Sequence, residues 1–168
     1  NTKAFTVAAL GILIDEGRLT WETKVIDIIP EFRLYDVYVT EDFNIKDLLT
    51  HRSGMGLGAG DLMGWPDSAD FSTDEIIHNL RYMKQTSPFR TKYDYDNLLY
   101  IVAGEVVARV SGESWEEFVE SRIMKPLGMH ESSASFTRIT DLSNIIDAHV
   151  PVDGRLIVTP KQEAKKHN

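Results

Sequence analysis

The sequence contains no cysteine. That absence removes disulfides, zinc–thiolate sites and a thiol nucleophile together. Long apolar runs are missing too. The longest, residues 7–14, falls far short of the ~20 residues that span a membrane, and it lacks the basic leader and cleavage site of a signal peptide. Basic charge is scarce, with 18 Lys and Arg against 26 Asp and Glu and a formal net charge of −8. Nucleic-acid binding needs clustered Lys and Arg, so no nucleic-acid partner is expected. The one basic cluster, Lys161, Lys165, Lys166 and His167, reads as a solvated tail. The five histidines show no H-x-x-x-H or comparable spacing, so no metal site is expected.

What is present is ordinary for a globular protein: 42% apolar and 26% charged residues in a chain of 168, which fits a single domain over residues 1–168. Residues 2–16 read as a helix closed by Gly17. The run inside it is apolar on every face, which assigns the helix to the interior. A short helix is expected over 22–29, stopped by Pro30, then loop over 31–43 and another short helix over 45–50. A glycine-rich loop covers 54–64. Ser72 and Glu75 form a capping box for a helix to about Met83, and Ser114 and Glu117 another for a helix to about Ile123. Between them, Leu98, Leu99, Val102, Ala103, Val106 and Val110 recur at helical spacing, with Asn97 as the natural N-cap and Gly112 as the stop. Apolar runs at 149–152 and 155–158 flank Asp153-Gly154, a hairpin signal weakened by Pro151. The expected fold is mainly α with a small C-terminal β element. The chain opens inside a helix and stops soon after the hairpin, so both ends read as cut from something larger.

Two motif matches fail on context. Residues 54–59 fit G-x-G-x-x-A, but the dinucleotide fingerprint needs a strand before and a helix after. Trp65-Pro66-Asp67 suggests a phosphatase loop, whose chemistry needs a cysteine. His51 invites a catalytic role, although a structural hydrogen bond at a helix end is the stronger reading.

Three stretches combine differently. Asn1-Thr2-Lys3 opens the apolar helix. Asp47-Leu48-Leu49-Thr50-His51-Arg52-Ser53-Gly54-Met55 follows, and then Tyr95-Asp96-Asn97. In order and spacing they resemble the serine β-lactamase and penicillin-binding family, in particular its class-C-like and esterase-like branch, which carries S-x-x-K at the start of a buried helix, then L-L-T-H-x-S-G, then Y-x-N. Trp115-Glu116-Glu117-Phe118 and Pro126-Leu127-Gly128-Met129 resemble the segment beyond Y-x-N. The likeness extends over nearly the whole chain. It implies the helical subdomain of the β-lactamase/transpeptidase-like fold, with most of the α+β sheet subdomain missing.

The resemblance also implies a site. Lys3, Tyr95 and Asn97 are the candidate catalytic residues, acting without a cofactor on a β-lactam, a D-alanyl peptide or an ester through an acyl-enzyme. A serine hydroxyl needs an adjacent base. Helix positions i and i+3 share a face, so S-x-x-K sets the lysine amine beside the serine oxygen, while burial and nearby cations favour a lysine's neutral form. Lys3 and Tyr95 are the expected proton-transfer pair, with either as first acceptor, and Asn97 orients substrate. Two departures stand out: the family serine would immediately precede Asn1, and no Lys-Thr-Gly or His-x-Gly triplet follows Asn97. These 168 residues alone are therefore expected to be inactive. The parent is expected to be periplasmic or secreted. The rival reading is a penicillin-binding sensor without turnover, or a helical interaction module. A bared helix face would favour a homodimer.

Overall fold

The computed structural model describes residues 1–65 and 71–159. Pro66 and Asp67 of the rejected phosphatase match, and the basic cluster Lys161, Lys165, Lys166 and His167, lie outside the described residues. Among the described residues, seven α-helices and a hairpin follow in order: α1 Thr2–Asp15, α2 Val25–Ile28, α3 Val37–Asp42, α4 Ile45–Leu49, α5 Thr73–Asn79, α6 Leu98–Ser111 and α7 Trp115–Val119, then β1 Ala148–Val152 and β2 Arg155–Thr159.

The core forms where α1 crosses α6, and α2, α4, α5 and α7 each pack on α6. Leu98, Leu99, Val102, Ala103, Val106 and Val107 line the buried side of α6, and Gly112 ends the helix at φ 82°, a left-handed cap that costs glycine little. Ser72 and Ser114 cap α5 and α7 through reciprocal bonds with Glu75 and Glu117. Trp115 Nε1–H, at the start of α7, donates to buried Thr6 Oγ1 at 3.1 Å and ties α7 to α1.

Three expectations need correction. Helix α1 is not interior on every side. Thr6, Ala9, Leu10 and Leu13 are buried, while Ala4 and Ala8 are exposed. Residues 31–43 are not all loop. Asp36 accepts from the N–H groups of Tyr38 and Val39 and starts α3, and Thr40 donates its hydroxyl back to the Asp36 carbonyl at 2.8 Å. The helix expected over 22–29 shortens to α2, because the preceding backbone is committed elsewhere: Val25 N–H donates to Phe43 O, and the N–H groups of Ile45 and Lys46 donate to Thr23 O and Trp21 O.

The hairpin forms despite Pro151. Asp153 at φ 48° and Gly154 at φ 76° make the tight turn that suits right-twisted strands. Val152 pairs with Arg155 beside the turn, and Pro151 pairs with Leu156. In a two-residue hairpin the pair beside the turn carries the hydrogen bonds and the next pair carries none, so Pro151 removes no ladder bond. Among the described residues, no helix is long and apolar enough to cross a membrane.

Candidate active site

The segment from Asp47 to Met55 is a bracket for the chain around residue 90. Asp47 is buried and holds Arg90 through two bonds, Nη2 to Oδ2 at 2.6 Å and Nε to Oδ1 at 2.9 Å. The same carboxylate accepts from Asn44 N–H in the capping box of α4. Backbone pairing continues the bracket: Arg90 N–H donates to Arg52 O, Asp94 N–H to His51 O and Thr86 N–H to Gly54 O. Gly54 is required here. Its φ is 85°, and a Cβ would sit 2.4 Å from the Ser87 carbonyl oxygen.

His51 completes the bracket at the site. Its Nδ1 accepts from Asp96 N–H at 3.1 Å, and its ring stacks on Tyr95 with centroids 4.4 Å apart. Burial first, then the charge of Lys3, hold His51 below the ordinary histidine range. The bond at Nδ1 is open only to an unprotonated nitrogen. His51 therefore has a structural role, fixing the tyrosine of Tyr95-Asp96-Asn97.

Lys3 arrives from the first turn of α1. Its Nζ donates to Asn97 Oδ1 at 2.7 Å and lies 4.8 Å from the Tyr95 ring centroid and 5.1 Å from that of Tyr100. The structure thus brings Lys3 together with Tyr95 and Asn97, the last 94 positions away in sequence. The amine sits over the tyrosine faces, an arrangement the ring quadrupole favours for a cation. Tyr100 donates its hydroxyl to Leu49 O at 3.0 Å. Burial, followed by the Tyr95 and Tyr93 phenols, pushes Tyr100 above the usual phenol range.

Asn97 does not cap α6 with its side chain. That bond belongs to Asp96, whose Oδ1 accepts from Leu99 N–H at 3.3 Å. The Asn97 amide is used in full across the site instead. Its Nδ2 donates to Asp61 Oδ1 at 3.1 Å and Oδ2 at 3.2 Å, and its Oδ1 faces Lys3. A carboxylate only accepts and an amine donates, so one amide orientation satisfies both. Asp96 is fully buried, with Oδ2 lacking a hydrogen-bond partner. Burial first, with the Asp61 charge adding to it, pushes its carboxyl up to about 6, against the Leu98 and Leu99 N–H groups.

Sequence reasoning missed Asp61, Tyr100 and Asp96 as members of this cluster. For Asp61 a signal existed, because it is the only charged residue between Gly54 and Gly64. The cluster opens on a cleft of about 940 Å³ lined by Lys3, Asp61, Trp65, Asn97, Tyr100 and Trp115 among others. Among the described residues, no group of three or more His, Asp or Glu side chains is placed to hold a metal ion.

The helical packing and this cluster define a β-lactamase-like protein, and the chain belongs to the Beta-lactamase family, whose pattern residues 1–140 match. It is similar to an unguisins hydrolase of Aspergillus campestris, 33% identical over an alignment of 140 residues that covers 80% of this chain and 26% of the relative. It is also similar to penicillin-binding protein 4 of Amycolatopsis lactamdurans, 30% identical over an alignment of 130 residues that covers 77% of this chain and 33% of the relative. The chain therefore spans between a quarter and a third of the length of these relatives. Among solved structures, the octameric penicillin-binding protein homologue of Pyrococcus abyssi superposes with a TM-score of 0.77 at 26% identity, covering 95% of this chain and 37% of that one. Fungal and archaeal relatives stand beside bacterial ones, so membership does not assign the chain to bacteria.

Proposed function

We propose that this chain is the helical part of a serine hydrolase that works through an acyl-enzyme, with Lys3 and Tyr95 as the proton-transfer pair and Asn97 orienting the substrate. The observation that carries the reading is the meeting of Lys3 with Asn97 at 2.7 Å, over the Tyr95 ring, across 94 residues of sequence. The family's nucleophile falls one position before Asn1, a helical turn from Lys3. Its hydroxyl oxygen attacks the scissile carbonyl of a β-lactam, D-alanyl peptide or ester. The proton passes to the Lys3–Tyr95 pair and on to the departing nitrogen or oxygen, and water then cleaves the serine ester. Written this way the reaction uses no cofactor.

The same reading makes residues 1–168 one domain, with the sheet subdomain outside it, and these 168 residues by themselves inactive. The likeness to penicillin-binding proteins supports a periplasmic or secreted parent, and the octameric relative supports self-association, at least as a homodimer. The direct test is mass-resolved labelling with a fluorescent penicillin and a p-nitrophenyl ester. One adduct on the serine before Asn1 in the full-length protein, and none on residues 1–168, is expected. Adduct formation without turnover would mark a sensor. A stable adduct on any of the 168 residues would overturn the assignment.

A further inference from the structure

Asp61 is held against the site from its own loop. Its N–H donates to Gly58 O at 3.1 Å, and Gly58 N–H donates to Tyr95 O at 2.8 Å. Gly58 has φ +66°, and a Cβ there would sit 3.1 Å from Asp61 Oδ2. The glycine thus lets the loop wrap closely enough to set the carboxylate on Asn97. Among the described residues Asp61 has no ion-pair partner. A carboxylate offers about four acceptor positions, and Asn97 Nδ2 bridges the two oxygens with a single amide nitrogen. Asp61 is half-buried and lines the cleft that Lys3 and Asn97 also line. A fixed carboxylate with spare acceptor capacity and no cation of its own favours a cationic ligand group and disfavours an apolar or anionic one, since burying it unpaired is costly.

Taking Lys3 as the marker of the reacting end, we infer that Asp61 determines specificity: it receives the ammonium of a substrate that carries a free amino group next to the scissile carbonyl, such as an amino-acid amide, an amino-acyl ester or a peptide N-terminus. The inference rests on the serine-hydrolase reading above. The Lys3 amine and the Asp61 carboxylate bond the two ends of the same Asn97 amide and line the same cleft, so a ligand seated over that amide meets both groups.

The competing role for Asp61 is to orient Asn97 alone. Asp61→Asn separates the two, because it keeps an acceptor for Asn97 Nδ2 and removes the charge. The measurement is the ratio of kcat/KM for alanine p-nitroanilide to that for its N-acetyl derivative, with both stereoisomers, on the full-length protein. The native protein is expected to favour the free amine, and Asp61→Asn to lower the ratio about 100-fold, the scale of a hydrogen bond to a charged group. The preference should also fade at alkaline pH as the substrate ammonium loses its proton. An unchanged ratio in Asp61→Asn, or a native preference for the N-acetyl substrate, would overturn the inference. A calorimetric titration with alaninol, which keeps the ammonium but has no scissile carbonyl, controlled by N-acetylalaninol, reads the same site without turnover. Saturable binding that Asp61→Asn abolishes supports it, and absence of binding overturns it. Labelling with a serine-directed fluorophosphonate distinguishes the two levels. A protein that binds alaninol but resists labelling keeps the ammonium site and loses the hydrolase reading. A protein that is labelled but indifferent to the ammonium loses only this inference.

Discussion

Asp96 sits between the two residues that matter most to the proposed chemistry and is itself costly. Its carboxyl is raised to about 6 by burial, with the neighbouring Asp61 charge adding to the effect, against ~3.9 in an unfolded chain. The folded state therefore holds its proton to higher pH than the unfolded state does. Below the unfolded value both states are protonated and the group is neutral to stability. As pH rises from about 4 to 6 the unfolded chain ionises first, and stability falls. Asp96→Asn should remove that fall, so the difference in unfolding free energy between variant and native protein, read from urea titrations, should move in the variant's favour from pH 4 to pH 7, by an amount on the order of 2 kcal/mol. A difference independent of pH would show that Asp96 is not the group being titrated. Lys3 bears on rate rather than on stability. In the full-length protein Lys3→Ala should lower kcat/KM for an activated ester by about 10²–10⁴-fold, the range for removing a proton-transfer group, with little change in the thermal midpoint, because its partners keep other bonds. A loss below tenfold would leave Lys3 without the proposed role.

Among the elements, the bracket from Asp47 to Gly54 separates two costs of replacing glycine. Gly54 and Gly112 share a left-handed φ, 85° and 82°, but a Cβ at 54 meets the Ser87 carbonyl at 2.4 Å while one at 112 meets nothing within 4 Å. Gly112→Ala should cost about 1 kcal/mol, for backbone conformation alone. Gly54→Ala should cost at least about 3 kcal/mol, since it also pushes apart the pairing of residue 54 with Thr86 and Ser87. Denaturant midpoints of the two variants test this, and equal losses would mean that the close approach at 54 relaxes freely. The elements also show where sequence reading stops. Capping boxes and the α6 periodicity were legible because each is a local pattern with one physical solution. Helix α3 was not, because a six-residue helix has no periodicity to detect and depends on Asp36 alone for its start. The pairing of Lys3 with Tyr95 and Asn97 was legible only through family likeness. Asp61 was marked only as the one charge of a glycine-rich loop, and nothing local says where such a loop will place it. The side-chain cap of α6 was misassigned by one residue for a related reason. Both Asp96 and Asn97 are good caps, and only the tertiary demand for the Asn97 amide decides between them.

At the scale of the whole molecule, burial is uneven, and that asymmetry carries a prediction about association. Among the uncovered apolar surfaces of the described residues, two bear on association. The first is the outward row of α1, with Ala4 and Ala8 exposed. The second is one face of the hairpin, where Val150, Val152 and Ile157 lie on the same side by the pairing register and remain 40%, 43% and 48% exposed. Apolar area is worth roughly 25 cal/mol per Å² when removed from water, and an alanine offers one methyl group where valine and isoleucine offer branched chains. The hairpin face should therefore dominate, although the fully apolar α1 run is the more obvious feature of the sequence. A two-stranded ribbon is also marginal alone and leaves backbone donors and acceptors open on both edges, so pairing with a second copy satisfies side chains and backbone together. A symmetric dimer is the simplest closed arrangement. Sedimentation of residues 1–168 over a hundredfold concentration range should show self-association. Lysine at both Val150 and Ile157 should shift the material to monomer, while Ala8→Lys should leave association nearly intact. The reverse pattern would place the contact on α1, and a clean monomer at the highest concentration would show that these uncovered faces are too small to hold two copies together.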